Sequence, residues 1–314
     1  MVKVREVASG LMFPEGPIAM PDGSLLVVEI QGERLTTIAP DGEKRAIAEI
    51  RGSPNGAAIG PDGKVYVCNS GGFAYHRNED LGITMCVGAS SDYSGGSIAR
   101  VDLKSGAVEL LYARAGDIPL RGPNDIVFDE YGGFWFTDHG KSLARSRDRT
   151  GVFYAKADGS FIEEVIFPME NPNGIALSPD GKRLYVAETF TCQLWAFDIA
   201  GPGKIAPKPG LFSHGGVFLQ RPAGFKHYDS MAVDSAGNLC VATFGDPPGV
   251  AVISPQGEEV DFIVTPDIFT TNICFGGEDL RTAFITLSGT GRVIAMEWPR
   301  PGAPLHYLNQ AHPM

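Results

Sequence analysis

The chain has 314 residues, with 26 basic and 37 acidic side chains and a formal net charge of −11. This charge repels nucleic acid and anionic membrane surfaces, so neither is expected as a partner and a small molecule is favoured. No run of 18 apolar residues could span a bilayer, and the N-terminus lacks the pattern of a secretory signal. The sequence therefore predicts a cytoplasmic globular protein.

The small residues indicate many tight turns. There are 40 glycines and 23 prolines, too many for long helices. The five cysteines are odd in number and widely spaced, which predicts buried free thiols rather than disulfides or a Cys-x-x-Cys metal site. They lie at positions 68, 86, 192, 240 and 274.

One pattern recurs six times along the chain. Each copy opens with a short motif, continues as an apolar run and reaches a turn seven residues after the central residue of the motif. A β-branched and aromatic segment follows each turn, as in Phe134-Trp135-Phe136, so each copy predicts a β-hairpin. The central residues are Glu15, Asn55, Asn124, Asn173, Asp229 and Asn272.

The repeat predicts an all-β fold, a six-bladed β-propeller with four-stranded blades that occupies residues 1–314 as a single domain. The last unit has only three evident strands and ends near Met296. The segment from Val2 to Ala8 supplies a spare strand, so we expect it to close the ring as the outer strand of the last blade. A parallel β-helix is the alternative.

The six central residues are expected to meet around the central channel at one face of the propeller. All six carry a side-chain oxygen, and two are carboxylates, a set that suits a hard cation such as Ca²⁺. A Pro-Asn-Gly motif also starts strands as ordinary turn chemistry, but Glu15 and Asp229 do not fit that explanation. Whether Asn55 and Asn272 contact the ion is left open.

A second polar set follows one hairpin later at the same face. It lies fourteen residues after each central residue, or fifteen in one copy, and comprises Glu29, Asn69, Asp138, Glu188, Thr243 and Thr286. Such side chains could orient the metal ligands or could merely finish the strands. Asp138 and Glu188 are predicted as additional acid–base groups.

Two long connections are expected to lie over the same face. Residues 70–96 form a Gly- and Ser-rich insertion suited to a lid or a wall of the site. Residues 139–149 concentrate basic side chains, including Lys141, Arg145 and Arg147. This basic loop is either a solvated surface loop or an attractor for an anionic substrate.

Five segments resemble the gluconolactonase, regucalcin and luciferin-regenerating-enzyme-like family, which also contains diisopropylfluorophosphatase-like enzymes. They are Phe-Pro-Glu-Gly-Pro at 13–17, Gly-Pro-Asn-Asp-Ile at 122–126, Phe-Thr-Asp at 136–138, Pro-Asn-Gly-Ile-Ala at 172–176 and Tyr-Asp-Ser-Met-Ala-Val-Asp at 228–234. The resemblance implies a divalent cation held by Glu15, Asn124, Asn173 and Asp229. Ca²⁺ is favoured, with Zn²⁺, Mn²⁺ or Mg²⁺ as alternatives.

The resemblance also implies a reaction. The metal would polarise the carbonyl of a sugar-derived or similar small lactone, water would attack it, and Asp229 would act as the general base. Substrate contacts are predicted for Asn124, Arg121, Asn69 and Tyr228. An organophosphate or aryl-ester hydrolase with the same site, and a non-catalytic calcium- or ligand-binding propeller, are the alternatives. Neither the lactone nor the oligomeric state is predicted.

Overall fold

A computed structural model describes residues 4–206, 208 and 214–310, and every regular element within these ranges is a β-strand. No helix in this part of the chain has the length and apolar character needed to cross a membrane. The first half of the chain contains β1 (Val4–Ala8), β2 (Pro14–Ala19), β3 (Leu25–Glu29), β4 (Arg34–Ile38), β5 (Lys44–Glu49), β6 (Pro54–Ile59), β7 (Val65–Asn69), β8 (Phe73–Asn78), β9 (Ile83–Ala89), β10 (Ser97–Val101), β11 (Val108–Tyr112), β12 (Arg114–Ala115), β13 (Ile118–Pro119), β14 (Pro123–Phe128) and β15 (Gly133–Asp138). The second half contains β16 (Thr150–Lys156), β17 (Ile162–Met169), β18 (Pro172–Leu177), β19 (Arg183–Glu188), β20 (Gln193–Gly201), β21 (Lys204–Ile205), β22 (Val217–Gln220), β23 (Lys226–Val233), β24 (Leu239–Gly245), β25 (Gly249–Ile253), β26 (Glu259–Val264), β27 (Thr270–Gly276), β28 (Thr282–Leu287) and β29 (Arg292–Glu297).

These strands form six antiparallel blades, which confirms the predicted propeller. From the inside outwards the blades are β2-β3-β4-β5, β6-β7-β10-β11, β14-β15-β16-β17, β18-β19-β20-β22, β23-β24-β25-β26 and β27-β28-β29-β1. In the fourth blade β20 also pairs with β21, and two further hairpins, β8–β9 and β12–β13, lie outside the blades. The inner strands contact one another in a closed ring, from β2 through β6, β14, β18, β23 and β27 back to β2.

The N-terminal strand closes the ring as expected. β1 pairs antiparallel with β29, with Val4 opposite Met296 and Ala8 opposite Val293. The two ends of the repeat are therefore held together by backbone hydrogen bonds, and the last blade has no unpaired inner edge.

Apolar side chains pack between neighbouring blades. Between the second and third blades, Tyr66 and Phe128 meet edge to face with ring centroids 5.0 Å apart, and Phe136 stacks on Phe153 at 5.2 Å. Because one face of each sheet packs on the next, strands of the inner layers read as almost continuous buried runs. The core is thus six inter-blade layers around a polar axis.

The cysteines follow this packing in part. All five are free, and Cys68, Cys240 and Cys274 are buried as expected. The expectation of burial is wrong for Cys86, which is exposed because it lies on β9 outside the blades, and Cys192 is half-buried.

The segment after β29 packs across the end of the channel opposite the opening motifs. Residues after β29 cross this end, where Arg300 pairs with the buried Asp234 at 2.6 Å and the Tyr307 hydroxyl donates to the carbonyl of Glu130 at 3.2 Å. An internal cavity of about 120 Å³ extends from Asp125 to Leu305.

The glycines of the opening motifs set how closely the inner strands approach. A Cβ on Gly56 would lie 2.5 Å from the carbonyl oxygen of Asn124, and one on Gly16 would lie 2.6 Å from that of Asn55. Real Cβ atoms do not approach backbone oxygen this closely, so each glycine lets the next blade dock against its backbone.

We expect Gly56→Ala to destabilise the fold by about 1–3 kcal/mol, because the inner strands of blades two and three must separate. Urea unfolding of the purified protein measures this loss. Gly201→Ala is the matched control, since a Cβ there meets no atom within 4 Å and the backbone is not left-handed. Equal unfolding midpoints for the two variants would contradict the close approach.

Candidate metal centre at the channel mouth

The six central residues of the repeat lie at the starts of the inner strands, around one mouth of the channel. Five of the six are buried and Asp229 is partly exposed. Neighbouring positions of the ring contact each other through the blade interfaces: Thr137 donates to the carbonyl of Asn173 at 2.5 Å, and Ser288 donates to that of Pro14. The spacing of seven therefore predicted one ring correctly.

Two amide oxygens in this ring lack the partner that a buried acceptor normally has. Oδ1 of Asn124 and Oδ1 of Asn173 are buried and accept no hydrogen bond. The amide nitrogen of Asn173 does have a partner, because it donates to the hydroxyl of Thr189 at 3.0 Å. Leaving such an oxygen desolvated costs about 1–3 kcal/mol, so an unpartnered pair calls for an electrophile at the mouth.

The two carboxylates of the ring are held at a high electrostatic cost. Burial raises the pKa of Glu15 even though Asn272 and the Gly16 amide hydrogen-bond to it. Burial and the charge of Glu15 raise the pKa of Asp229 well above its ordinary value. Two like charges that cannot move apart favour either protonation or a bound cation.

Asn272 positions Glu15. Its amide nitrogen donates to Oε2 of Glu15 at 2.7 Å, and its Oδ1 accepts from the backbone amide of Ile273, also at 2.7 Å. The amide N–H of Gly16 donates to the same Oε2 at 2.7 Å. Because both ends of the Asn272 amide are engaged, its contribution is to orient a candidate ligand.

Asp125 is a third buried carboxyl that the sequence reasoning did not select. It occupies the position after Asn124, where three other opening motifs have glycine. Its Oδ1 accepts from the amide of Ile126 at 2.9 Å, and burial together with the charge of Glu15 raises its pKa to about 7. The departure from glycine at this place in the repeat was the available signal.

Known proteins are similar to this chain in sequence and in fold. Residues 13–289 match the family model described as SMP-30/Gluconolactonase/LRE-like region. The chain belongs to the SMP-30/gluconolactonase/LRE-like family. A gluconolactonase of Zymomonas mobilis is 26% identical over 311 residues, covering 91% of this chain and 79% of the relative.

Two solved structures show that this family member shares their fold. A gluconolactonase from Xanthomonas campestris superposes with a TM-score of 0.74 at 22% identity, covering 95% of this chain and 90% of the other. A regucalcin from Agrobacterium tumefaciens, described as a calcium-binding protein, superposes with a TM-score of 0.72 at 17% identity, covering 97% and 98%.

The donor set of this SMP-30/gluconolactonase/LRE-like chain fits a hard divalent cation. Two carboxylates balance its charge, and the two unpartnered amide oxygens supply neutral oxygen donors. Among the described residues, no three His, Cys, Asp or Glu side chains cluster as a metal site. The fit therefore depends on the asparagines, as expected for an oxygen-only site rather than for a softer histidine or thiolate site.

The second polar set holds the loops that lead into the inner strands. Asp138 accepts from the backbone amides of Arg121 and Gly122, each at 2.7 Å, and from Gly140 at 2.9 Å. Glu188 accepts from the Glu170 amide at 2.7 Å and from the Trp195 indole at 3.1 Å.

Two other members of the set act in the same way. Glu29 accepts from the amide of Met12 at 2.8 Å and from Arg34 at 2.7 Å. Asn69 donates to the carbonyl of Arg51 at 2.6 Å and accepts from the Gly71 amide at 3.0 Å. In four blades, therefore, the residue at this position fixes the segment that precedes the inner strand.

The predicted substrate contacts occupy different environments. The Arg121 side chain is 43% exposed and pairs with Asp148 at 3.1 Å. Both polar atoms of the Asn69 side chain are engaged by the loops described above. Tyr228 is fully buried among core side chains and its hydroxyl donates to Gln220, which argues against direct contact with a substrate. The register of β23 against β24 shifts between Tyr228 and Met231, so Asp229 lies in an irregular stretch just after the paired, core-facing Tyr228.

The insertion at 70–96 forms the β8–β9 hairpin, and we call residues 73–89 the lid. It contacts three blades at the mouth: Tyr75 meets Phe13 with centroids 5.7 Å apart, the Thr84 amide donates to the Gly289 carbonyl at 2.8 Å, and Lys141 reaches Phe73. The sequence predicted a lid or a wall at this face, and the structure has a β-hairpin there.

Lys141 is not available to a substrate in the way that the basic-loop hypothesis requires. It is 3% exposed, its Nζ donates to the carbonyl of Gly72 at 3.1 Å, and it lies 3.5 Å from the centroid of Phe73. Burial lowers its pKa to about 8. Arg145 and Arg147 remain exposed, so any attraction of an anion would rest on them.

The raised carboxyl pKa values predict a pH-dependent effect of metal. Without a cation, the folded protein holds protons on Glu15 and Asp229 that the unfolded chain has already lost, so its stability falls as pH rises through the raised pKa values. A cation that needs both groups ionised removes this loss. We expect added Ca²⁺ to raise Tm more at about pH 8 than at about pH 5.

Scanning calorimetry with and without Ca²⁺ measures the shift. Asp229→Asn should shrink it and flatten its pH dependence, whereas Asp117→Asn, an exposed carboxylate between β12 and β13, should leave it unchanged. A Ca²⁺ effect that is equal at both pH values would contradict a site built on the two carboxylates.

Proposed function

We propose that this protein is a metal-dependent lactonase that opens a small lactone to its hydroxy acid. One observation carries the proposal: two unpartnered amide oxygens and two carboxylates with raised pKa values converge at the open mouth of the channel. Membership of a family that includes a relative named gluconolactonase supports the choice of lactones.

We assign the metal ligands to Glu15, Asn124, Asn173 and Asp229. Ca²⁺ is the favoured ion because all four offer oxygen, and a structure with the same fold is described as a calcium-binding protein. Two carboxylates neutralise the ion, while Asn272 and the Gly16 amide fix the orientation of Glu15. When bound, the ion would polarise the ester carbonyl of the lactone.

Asp229 is proposed as the general base. It is the ring carboxylate that is partly exposed, and the Asn173 amide and the Ser230 amide stabilise its ionised form. It would take a proton from the water that attacks the carbonyl carbon. The ring C–O bond then breaks, and the proton passes to the released alkoxide, which gives the hydroxy acid.

We assign Asp138 and Glu188 to positioning rather than to proton transfer. Asp138 is buried and accepts three backbone hydrogen bonds, so its oxygens are committed to the loop at residues 121–122 and to Gly140. Asn124 follows this loop directly, so Asp138 supports its placement. Arg121, half exposed beside the same loop, remains a proposed substrate contact.

The activity test is a pH-stat assay with glucono-1,5-lactone, run on chelator-treated protein before and after Ca²⁺ is restored. We expect hydrolysis to require the metal. Asp229→Asn should lower kcat by about 10²–10⁴-fold because the base is lost, and Asp117→Asn should keep the wild-type rate. Calcium binding is titrated on both variants. A variant that still binds Ca²⁺ but has lost activity has lost the base, whereas a variant that no longer binds Ca²⁺ has lost the ion. Full activity in chelator would contradict the proposal.

The positioning role of Asp138 predicts a different response. We expect Asp138→Asn to lower the free energy of unfolding by about 1–3 kcal/mol, because an amide NH₂ would face backbone donors. The pH at which kcat is half-maximal should stay where it is in the wild type. A shifted pH profile at unchanged stability would instead assign proton transfer to Asp138.

A further inference from the structure

Aromatic rings form a continuous series of contacts around the mouth, from Phe13, which is buried against Tyr75 of the lid, to His139 after the second strand of blade three. We call Phe13, His139, Phe190, His227, Phe244 and Phe269 the aromatic arc. Successive ring centroids lie 6.3 Å apart from Phe13 to Phe269, 5.7 Å from Phe269 to Phe244 and 5.1 Å from Phe244 to His227. The arc continues over 6.3 Å to Phe190 and 6.0 Å to His139.

The arc lies at the metal ligands in the chain as well as in space. Phe13 precedes Glu15 by two residues and His227 precedes Asp229 by two, while Phe190 follows Glu188 by two. His227 is linked to the candidate ligand Asn173 through Thr189, whose carbonyl accepts from His227 and whose hydroxyl accepts from the Asn173 amide, each at 3.0 Å. Rings from five blades thus meet at the mouth where the candidate base lies.

The arc consists mostly of ring surface, and the guanidinium of Arg147 lies 5.1 Å from the ring centroid of Phe190. Phe190 is 47% exposed, and Phe244 and Phe269 are half-buried. The Nδ1–H of His227 donates to the carbonyl of Thr189 at 3.0 Å, and its ring stacks on Phe244 at an interplanar angle of 20°. His227 is therefore fixed by the protein and offers its ring as part of an apolar wall.

This surface suits one kind of lactone better than another. A flat apolar ring can stack on aromatic faces and lose unfavourable contact with water. A polyhydroxylated sugar lactone placed against the same wall would leave hydroxyl groups without partners, which is costly.

Resting on the lactonase function proposed above, we propose that the aromatic arc binds the non-reacting part of the substrate. The preferred substrate is then a lactone that carries an aromatic or similarly flat apolar group, rather than a sugar lactone. Phe190 and Phe244 are the specificity-determining residues, because their partly exposed rings flank His227 beside Asp229.

The test compares kcat/KM for 3,4-dihydrocoumarin and for glucono-1,5-lactone, with the Ca²⁺-loaded full chain. We expect the aromatic lactone to be preferred by about tenfold or more. Phe190→Ala and Phe244→Ala should each raise KM for dihydrocoumarin by about two- to tenfold, with less than a twofold effect on gluconolactone. Phe190→Trp should retain the preference. Phe161→Ala, at an exposed turn on the opposite face, is the matched control.

A second measurement does not depend on hydrolysis. Calorimetric titration with 2-tetralone, in which CH₂ replaces the ring oxygen of dihydrocoumarin, reports binding to the wall alone. If Phe190→Ala weakens tetralone binding but neither lactone is hydrolysed, the arc is supported and the lactonase function is overturned. Metal-dependent hydrolysis that favours gluconolactone, or equal losses for both lactones in the Phe variants, would overturn the arc and leave the lactonase function standing.

Discussion

The burial of like charges on the propeller axis is the constraint on which the rest of this structure depends. Glu15, Asp229 and Asp125 all sit where the inner strands converge, and burial raises the pKa of each. The ring of six blades, closed by β1, holds these carboxyl groups together around one mouth of the channel. The same closure leaves the oxygens of Asn124 and Asn173 without donors. A divalent cation would relieve both costs at a single point.

Two sets of polar residues with different roles lie around that axis. The inner set faces the mouth, where an ion and a substrate can reach it. The second set, typified by Asp138 and Glu188, accepts hydrogen bonds from the segments that lead into the inner strands. The candidate ligand Asn124 is thereby supported by Asp138, a carboxyl group that is fully buried. Such support limits the movement of ligands, which metal sites and catalysis both require.

The blades repeat in register but differ in what they place over the mouth. Blade two supplies the lid, which Lys141 joins to blade three through Gly72 and Phe73. Blades four and five supply Phe190, His227 and Phe244. The described segment after β29 packs across the far end of the channel. Chemistry common to the repeat is thus combined with a local asymmetry that decides which molecules can approach it.

The sequence by itself determined the number of blades, the closing role of the N-terminal strand and the ring that contains Glu15, Asn124, Asn173 and Asp229. It could do so because the spacing of seven and the alternation of strands are local properties, and they state which residues share a face. Only the tertiary structure decided what each side chain meets. It placed Tyr228 in the core, engaged Lys141 with the lid, exposed Cys86 and committed Asp138 to backbone amides. It also brought six rings from five blades into one arc. These outcomes depend on packing between blades far apart in the chain, which no local spacing encodes.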